Sequence, residues 1–534
     1  MGFNDFYNSS DIGAAWPNVK QLARDACVHL EHFYTQPICT PTRGAFMTGR
    51  SPVRLGLQHG VIMGTQNFGL PLDEVTLAQK LQAVSYSTVG IGKWHLGMYN
   101  NASLPTRRGF NHWYGMMHGG ATHSSHEFPP YGPYVGYLDL SNDEEIDRNR
   151  DGIYSAELFG AAAVQHIVRH KERKPQQPLF LYVAMQSLHD PLEAPARFTS
   201  APACSNITNA DRKTFCGMSL AIDEAIGNIT STLLNSFPGE EVVAFIAGDN
   251  GGYPNSAGNN CDENGVCLRG QKNTLWEGGV RNNALVCSTS LPSLRRGTVF
   301  SKGLIHIMDL HATIQELAGG TNISSKPLDG ISIWSAITEY TESPRKEFLV
   351  NLDPCVTAGC NAVEAAYRFR GCFGSPSQCG DWKLLSGTLP NASWYHLPTT
   401  LENDPVQRGP MLPNSTRLLY NLTADPEERK NLATMFPQVV VALQSKIDAM
   451  ASEALAPCNI QGGTCRAYDP LGFATAAQAG AWIPWISDEA LPEPEPEYEA
   501  LPEPEPEPES EPEPEPKPEC GEDCLSRRGR VLLI

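Results

Sequence analysis

The sequence predicts an α/β protein in which a mostly parallel sheet lies between helices, with a smaller antiparallel sheet toward the carboxyl end. Residues 179–185 and 241–247 are apolar runs of strand length, and a polar loop follows each directly. Residues 154–173 have the apolar spacing of an amphipathic helix. Strands that alternate with helices are typical of a parallel sheet covered on both faces. The antiparallel sheet is predicted from three β-prone stretches, residues 347–352, 382–385 and 417–422.

The chain has 534 residues, which is more than a single ordinary core accommodates. Its hydrophobic content of 41% is enough for a globular body. We therefore predict a main domain at 1–345, a smaller domain at 346–487 and a tail at 488–534. Most of the tail is a Pro-Glu repeat, in which proline breaks helices and like charges repel, so we expect it to be extended and disordered.

The formal net charge of −19 is concentrated in that tail, where sixteen acidic and four basic residues lie from Asp488 onward. Because the rest of the chain is only mildly acidic, an anionic ligand would be held by a local cluster of cations and not by an overall basic field. Nothing in this distribution indicates nucleic-acid binding. No apolar stretch is long enough to form a transmembrane segment.

Fifteen cysteines and eight Asn-X-Ser/Thr sequons indicate an oxidising, glycosylating compartment. The absence of Cys-X-X-Cys argues against structural zinc. Sequence alone leaves the connectivity open, but close spacing favours loop-closing disulfides. The close pairs are Cys204 with Cys216, Cys261 with Cys267, Cys355 with Cys360, Cys372 with Cys379, Cys458 with Cys465, and Cys520 with Cys524.

Taken in chain order, the first predicted element is a helix over residues 18–27, and the stretch CTPTRGAFMTGR follows at 39–50. Proline is favoured in the first turn of a helix, so Pro41 predicts that Cys39 lies at a helix N-terminus. Unpaired N–H groups and the helix dipole favour an anion there. On residue type alone, Cys39 is more often a buried structural cysteine.

A second candidate stretch is GKWHLG at 92–97, which follows the β-rich run at 85–91. Lys93 and His95 flank Trp94 in this turn. Taken singly, they would be explained as a surface lysine and a histidine with satisfied hydrogen bonds.

Four further histidines stand in two loops. His118, His123 and His126 occupy a Gly/Ser-rich stretch, and their spacing suits no single helix face. We therefore expect them at a pocket rim or on the surface, and not at a metal site. His189 follows the run 179–185, so it lies at the carboxyl end of a predicted strand, where α/β proteins commonly place catalytic residues. An isolated histidine at such a position is more often structural.

Asp249 and Asn250 follow the other apolar run, 241–247. Adjacent carboxylate and amide oxygens at a strand end suit a hard cation such as Ca²⁺ or Mg²⁺. The sequence Asp-Asn-Gly-Gly is, on its own, most often only a turn.

Together these stretches resemble the type I sulfatases, in which a cysteine is oxidised to formylglycine. The resemblance rests on CTPTRGAFMTGR at 39–50, GKWHLG at 92–97, LPTRRGF at 104–110, LRGQK at 268–272 and LYNLTADPEE at 419–428. LPTRRGF looks closest to the arylsulfatase B branch, which suggests an N-acetylgalactosamine 4-sulfate or a comparable sulfated polysaccharide. One departure is Thr42, where many members have serine. The resemblance covers nearly all of the chain before the tail and implies an alkaline-phosphatase-like sandwich.

The resemblance also implies a role for each candidate residue. The formylglycine-generating enzyme would convert residue 39, whose aldehyde hydrate would attack sulfur, and His189 would protonate the leaving alcohol. A divalent metal is implied, with Ca²⁺ favoured over Mg²⁺. The implied catalytic residues are Cys39, Arg43, His95 and His189, the substrate-binding residues are Lys93, His189 and Lys272, and the metal ligands are Cys39, Asp249 and Asn250.

The implied function is removal of sulfate from a sulfated glycan or a small aryl sulfate, in the lysosome or outside the cell. We expect the signal peptide to be missing from this sequence, because Met1 is not followed by a basic segment and an apolar run. In the family the first strand ends in two metal-binding aspartates, and this sequence begins just after that position. Asp5 is not expected to replace them. We therefore expect little activity from residues 1–534, and the alternative is a secreted, catalytically impaired protein that binds sulfated glycans.

Overall fold

The fold is taken from a computed structural model, which describes residues 1–9, 11–128, 136–262, 266–320, 323–354, 363–387, 393–395, 405–407, 416–457, 468–487 and 530–533. The strands are β1 (Cys27–Leu30), β2 (Phe33–Tyr34), β3 (Ser87–Lys93), β4 (His112–Met116), β5 (Glu127–Phe128), β6 (Tyr137–Leu138), β7 (Ser141–Asn142), β8 (Glu145–Ile146), β9 (Leu179–Ala184), β10 (Val242–Ala247), β11 (Arg281–Asn282), β12 (Ala284–Ser288), β13 (Thr298–Phe300), β14 (Ile305–His306), β15 (Glu347–Pro354), β16 (Val363–Cys372), β17 (Cys379–Gly387), β18 (Trp394–Tyr395), β19 (Pro405–Gln407), β20 (Thr416–Asn421) and β21 (Arg530–Leu533). The α-helices are α1 (Pro17–Ala26), α2 (Cys39–Thr48), α3 (Leu77–Ala83), α4 (Ser155–Arg173), α5 (Ala196–Thr199), α6 (Ala210–Ser236), α7 (Glu277–Val280), α8 (Ile307–Leu317), α9 (Trp334–Glu339), α10 (Pro437–Ser452) and α11 (Pro470–Ala479).

The large sheet has the strand order β13-β1-β12-β10-β21-β9-β3-β4-β7-β8. Its five central strands, from β10 to β4 in this order, are parallel to one another. Antiparallel pairs lie on both sides of this centre. The predicted mostly parallel α/β sheet is therefore confirmed. The apolar runs of β9 and β10 are explained by burial of both strands on both faces.

Helices cover both faces of the large sheet, as the alternating pattern predicts. On one face α4 packs on β3, β9 and α6, and α1 packs on α6. On the other face α2, α3 and α8 pack on one another, and α3 packs on β3. Two separate apolar clusters result, one containing Phe46 and Leu81, the other Phe159 and Ile226. The carboxyl ends of the central strands lie between these layers.

A second, antiparallel sheet has the order β15-β16-β17-β20, and α10 packs on it. The strands predicted at 347–352, 382–385 and 417–422 correspond to β15, β17 and β20. Sequence reasoning missed β16, which carries Arg368 between apolar residues. The Arg368 side chain is fully buried, and its guanidinium donates to the Asp381 carboxylate at 2.8 Å.

Two parts of the predicted domain division need correction. Residues 468–487, assigned to the smaller domain, return to the large one, because Trp482 and Trp485 join the main apolar cluster. The tail, expected to be disordered, ends in β21, where Val531, Leu532 and Leu533 lack the charge and proline of the repeat. Residues 488–529 lie outside the described residues.

The cysteine pairing agrees with the predicted loop closures where the structure describes them. Disulfides join Cys204 to Cys216, Cys261 to Cys267 and Cys372 to Cys379. A fourth disulfide joins Cys27 of β1 to Cys287 of β12, 260 residues apart in sequence. The pairs predicted at 355/360, 458/465 and 520/524 lie outside the described residues.

Within the described ranges, none of the helices combines the length and apolarity that crossing a bilayer requires.

Candidate functional site

Helix α2 begins at Cys39, as Pro41 predicts, and every one of its ten residues is buried. The Thr42 hydroxyl fixes the entry to this helix, because it accepts a hydrogen bond from Gln36 N at 3.1 Å and donates to Ile38 O at 3.1 Å. Threonine at this position therefore supplies the local hydrogen bonds that hold the first turn. The helix ends at Thr48, and the next residue, Gly49, has a φ of +71°, which strongly favours glycine.

The other candidate residues lie at the carboxyl ends of three central strands. Lys93 is the last residue of β3, His189 follows β9, and Asp249 follows β10. Lys272 belongs to a loop tied to the same place, since its backbone N–H donates to Gly252 O at 2.8 Å. These four residues and Arg43 line one cavity of about 190 Å³. The structure thus brings together the residues that sequence motifs had singled out separately.

Arg43 connects α2 to β3, to β9 and to the loop that follows β10. Its guanidinium donates to Lys93 O at 2.9 Å, to Tyr182 Oη at 3.0 Å and to Asp249 Oδ2 at 3.0 Å. Both Arg43 and Lys93 are buried. Sequence analysis did not identify Tyr182, because a tyrosine inside an apolar strand is ordinarily a core residue.

Cys39 lies close to the cations of the site. Burial alone would raise the pKa of its thiol, but the charges of Lys272 and Lys93, with His189 and His95 close by, bring that pKa well below its ordinary value. The Cys39 thiol donates to Asn250 Oδ1 at 3.4 Å. The position therefore favours a negative charge or an electron-rich oxygen at residue 39.

His95 presents a buried, unpaired ring nitrogen to the site. Its Nε2 lies 3.0 Å from Ile62 O, whereas its Nδ1 has no hydrogen-bond partner among the described residues. Burial and then the Lys93 charge lower the pKa of His95 to about 4, so the ring is neutral at neutral pH. A buried nitrogen without a partner is costly unless a ligand or a modified side chain completes it.

A second histidine, His123, contacts the backbone of His189. The Nδ1 of His189 lies 2.9 Å from Asp190 O, and the carbonyl of His189 lies 3.1 Å from His123 Nε2. The other nitrogen of His123 contacts Ser155 Oγ at 2.8 Å. Residue spacing gives no signal for this support, because His123 and His189 lie on different loops.

The expectation that His118, His123 and His126 lie on a rim or on the surface is wrong, since all three are buried. His118 pairs with Asp139 at 3.2 Å and stacks on Phe128. The Gly/Ser-rich composition suggested a surface loop. In the structure, the small residues of this histidine-bearing segment let it pack closely against His95 and His189.

Asp249 and Asn250 offer adjacent side-chain oxygens to a cation in the described part of the site. Burial would raise the pKa of Asp249, but Arg43 and the two lysines of the site hold it below its ordinary value, so the group is ionised. These residues fit part of a hard-cation site, which takes six or more oxygens. No group of three or more His, Cys, Asp or Glu side chains that could hold a metal occurs in the described part of the chain.

Asp5 does not add to these donors. Its carboxylate accepts from Arg212 at 2.6 Å and from the backbone N–H groups of Asn259, at 2.9 Å, and Gly2, at 2.5 Å. The Arg212 side chain is fully buried with it. The expectation that Asp5 is not a replacement ligand agrees with this geometry.

Comparison with known proteins adds an independent line of observation. A family model described as Sulfatase matches residues 2–320. Arylsulfatase J of Mus musculus is 36% identical over 501 residues, which cover 92% of this chain and 79% of that protein. N-acetylgalactosamine-6-sulfatase of Homo sapiens is 26% identical over 493 residues, covering 87% of this chain and 86% of that protein.

A solved structure supports the fold. The crystal structure of Ps i-CgsB in complex with k-i-k-neocarrahexaose matches with a TM-score of 0.68 at 24% identity, over 86% of this chain and 92% of that one. The predicted alkaline-phosphatase-like arrangement, with a mixed sheet between helices and a separate antiparallel sheet, is confirmed by this likeness.

Proposed function

The chain belongs to the sulfatase family, and from that membership we propose that it hydrolyses sulfuric esters through a formylglycine at residue 39 and a divalent cation. The observation that carries the proposal is the convergence of Arg43, Lys93 and Lys272 on one cavity beside His189. A sulfate ester presents three non-bridging oxygens around sulfur, which the two lysines can bind while Arg43 holds Asp249 in place.

Each charged group has a distinct task in the proposed reaction. Lys93 and Lys272 would bind sulfate oxygens, while Arg43 orients Asp249 and keeps it ionised. Charge develops on these oxygens as sulfur is attacked, and each preorganised donor is worth about 3 kcal/mol by analogy with an oxyanion hole. The partly buried setting strengthens these contacts, because water screens them less.

Residue 39 is suited to carry the nucleophile. A formylglycine there would supply a hydrated aldehyde, which can release sulfate and regenerate itself, as a thiol cannot. His95 Nδ1, which is buried without a partner, would accept a hydrogen bond from that group. His189 would donate the proton to the departing alcohol oxygen.

The residues proposed to hold the cation are Asp249 and Asn250, completed by an oxygen on residue 39. A divalent ion there would neutralise charge on the sulfate, and its oxygen ligands make Ca²⁺ the first choice, with Mg²⁺ the second.

The proposed substrate is a sulfated sugar or an aryl sulfate. One relative is named for aryl sulfates and another for N-acetylgalactosamine 6-sulfate. The likeness to the arylsulfatase B branch stays a prediction, because family membership does not fix the sugar.

A second candidate function, binding of sulfated glycans without turnover, is favoured by one observation. The described residues offer Asp249 and Asn250 as oxygen donors, while the Asp5 carboxylate is engaged by Arg212. A cation held by so few ligands would be bound weakly, and the cationic cavity would then serve recognition alone.

The test is expression in a host that contains the formylglycine-generating enzyme, followed by mass spectrometry of residue 39 and hydrolysis assays with an aryl sulfate and defined sulfated oligosaccharides. We expect conversion of Cys39 and slow hydrolysis that Cys39→Ala abolishes. Lys272→Met should lower kcat/KM about a hundredfold, whereas the control Lys430→Met, at an exposed position, should not change it. An unmodified thiol would contradict the proposal, and glycan binding without Cys39-dependent hydrolysis would favour the second candidate.

A further inference from the structure

The loops that follow β9 and β10 place an aromatic ring and a carboxylate at the mouth of the candidate site. Tyr253 lies in the loop after β10 and lines the cavity, with 39% of the residue exposed. Asp190 directly follows His189 in the loop after β9 and lines the same cavity. Ser256 joins the two loops, because its hydroxyl donates to Asp190 Oδ2 at 2.8 Å. The mouth therefore presents both side chains together.

The backbone of Tyr253 is fixed beside Lys272, a proposed sulfate ligand. The Lys272 N–H donates at 2.8 Å to the carbonyl of Gly252, the residue that precedes Tyr253. The Tyr253 carbonyl accepts from Ser256 N at 2.9 Å and from Gly258 N at 3.1 Å. Tyr253 is thus held one residue away from the contact that places the Lys272 backbone.

A second phenol supports the wall that carries Tyr253. Strand β18 is tied to the loop of Lys272, since Gly270 N donates to Ser393 O at 2.8 Å. Cys261 Sγ lies 2.8 Å from the carbonyl of Tyr395 in that strand. Burial and then the neighbouring Tyr253 raise the pKa of Tyr395, which agrees with two phenols that lie close to each other. A supported ring loses little conformational freedom when a ligand packs on it.

An aromatic ring beside a carboxylate suits a sugar. One face of a pyranose presents C–H groups, which pack on the electron-rich face of a tyrosine ring. The hydroxyls at the edge of the sugar are donors, and the Asp190 carboxylate, which accepts one hydrogen bond from Ser256, has sites for more. An aryl group can pack on Tyr253, but it brings no hydroxyl to Asp190. The pair therefore selects a sugar over an aryl group.

The charge of Asp190 also limits which sugars fit. The lysine and arginine side chains that line the cavity, in the part of the chain that the structure describes, are Arg43, Lys93 and Lys272. In the proposed reaction these three serve the sulfate and Asp249. A second anionic group on the substrate, such as the carboxylate of a neighbouring hexuronate, would instead meet Asp190, and like charges brought together oppose binding.

We propose that Tyr253 and Asp190 form the subsite for the sugar that carries the sulfate. Tyr253 packs against the apolar face of the ring, and Asp190 accepts a hydroxyl. The subsite favours a sulfated neutral sugar over an aryl sulfate and over a sulfated sugar next to a hexuronate. This inference rests on the proposed function and names the alcohol part of the ester.

The test measures kcat and KM for three esters: an aryl sulfate, a monosulfated oligosaccharide of neutral hexoses, and the same sulfated hexose next to a hexuronate. Tyr253→Ala should raise KM for the neutral oligosaccharide about tenfold, whereas Tyr253→Phe, which keeps the ring, should not. Asp190→Asn should raise the same KM about tenfold, leave KM for the aryl sulfate unchanged and lower KM for the hexuronate substrate. We expect kcat to stay the same throughout. The control Asp448→Asn, at an exposed position of α10, should change none of these values.

Two outcomes would overturn the subsite. One is an unchanged KM for the neutral oligosaccharide in both Tyr253→Ala and Asp190→Asn. The other is an equal fall of kcat for all three esters, which would mean that the residues act only on folding. Binding of the labelled neutral oligosaccharide to the Cys39→Ala chain separates this inference from the proposed function. Tyr253-dependent binding, with no hydrolysis by the unsubstituted chain, would contradict that function and support the subsite.

Discussion

At the scale of the residue, two glycines determine where the imidazoles of the site lie. A Cβ on Gly119 would come within 2.4 Å of the His95 ring, and a Cβ on Gly120 within 2.9 Å of His189 Nδ1. Contacts this short require one partner to move. The Gly119-Gly120 turn therefore packs against both rings and keeps them from rotating away from residue 39.

Gly119→Ala tests this packing. We expect the variant to fold, because the glycine does not have a positive φ, and to lose activity by ten- to about a hundredfold, because a displaced ring misplaces the group it should orient. Hydrolysis of an aryl sulfate at saturating substrate gives kcat, and circular dichroism checks folding.

Gly136→Ala is the matched control for that variant, since its added Cβ would meet atoms only at 3.4 Å and beyond. It should leave kcat unchanged. Equal activity in Gly119→Ala and in the control would show that the loop does not position His95.

The same scale shows what local sequence can and cannot predict about the site. Cys39, Lys93 and His189 stand in stretches whose neighbours identify them. His123 and Tyr182 do not, because their part in the site consists of contacts with residues far away in sequence. Buried histidine and strand tyrosine are common core residues, so composition gives no signal for them.

At the scale of elements, buried charges join the two sheets. Lys383 of β17 lies 3.0 Å from Glu277 of α7 and 2.8 Å from Glu428. All three side chains are almost fully buried. Helix α7 follows the loop of Lys272, so this junction also supports one wall of the site.

Lys383→Met removes the cation that both carboxylates share and leaves Arg368, 3.6 Å from Glu277, as the neighbouring cation. We expect a loss of about 3 to 5 kcal/mol in the free energy of unfolding at pH 8, measured by denaturant titration. Burial, opposed by Lys383 and reinforced by Glu277, raises the pKa of Glu428 to about 7. The loss should therefore shrink at pH 6, where Glu428 takes up a proton more readily.

An exposed pair gives the control for the junction. Lys446 and Glu347 lie 2.7 Å apart but are more than one-third exposed, and such pairs are worth less than about 1 kcal/mol. If Lys446→Met lowered the free energy of unfolding as much as Lys383→Met, burial of the Lys383 ion pairs would not explain their contribution to stability.

Helices and strands with a clear pattern of apolar residues could be predicted from the sequence. A strand that carries a buried charged residue could not. The helix over 154–173 and the strands 179–185 and 241–247 appear in the structure within two residues of their predicted ends. Strand β16 was missed because Arg368 interrupts its apolar residues. Its partner Asp381 is in another strand and becomes its neighbour only in the fold.

At the scale of the whole molecule, the same limit applies to β21. Four apolar residues at 531–534 are too few to predict a strand, and pairing with β9 and β10 depends on a register that no local pattern encodes. The mostly parallel sheet was predictable from β9 and β10 themselves. The source of the strand between them was not.

Buried histidines give the whole molecule a defined response to acid. Burial lowers the pKa of His123 to about 4, and burial with the Lys80 charge lowers that of His311 to about 3. Their unfolded values lie near 6.5, so between pH 6.5 and about 4 the unfolded chain binds more protons than the folded one. Stability therefore falls as pH falls through this window, by on the order of 3 kcal/mol for each group. The buried carboxylates Glu428, Glu364 and Asp223 have raised pKa values and act in the opposite sense, so the fall measures the balance between them and the buried histidines.

We expect the unfolding temperature to drop steeply between pH 7 and pH 4.5, and His311→Gln to make that drop shallower although it costs stability at pH 7. The exposed His112 is the matched control, and His112→Gln should leave the slope unchanged. Differential scanning fluorimetry across the pH range measures each slope. Identical slopes for the unsubstituted chain and for His311→Gln would mean that the buried imidazole takes up its proton without unfolding. Acid sensitivity would then have to arise from carboxylates with a lowered pKa that hold buried cations, such as Asp11 beside Arg212.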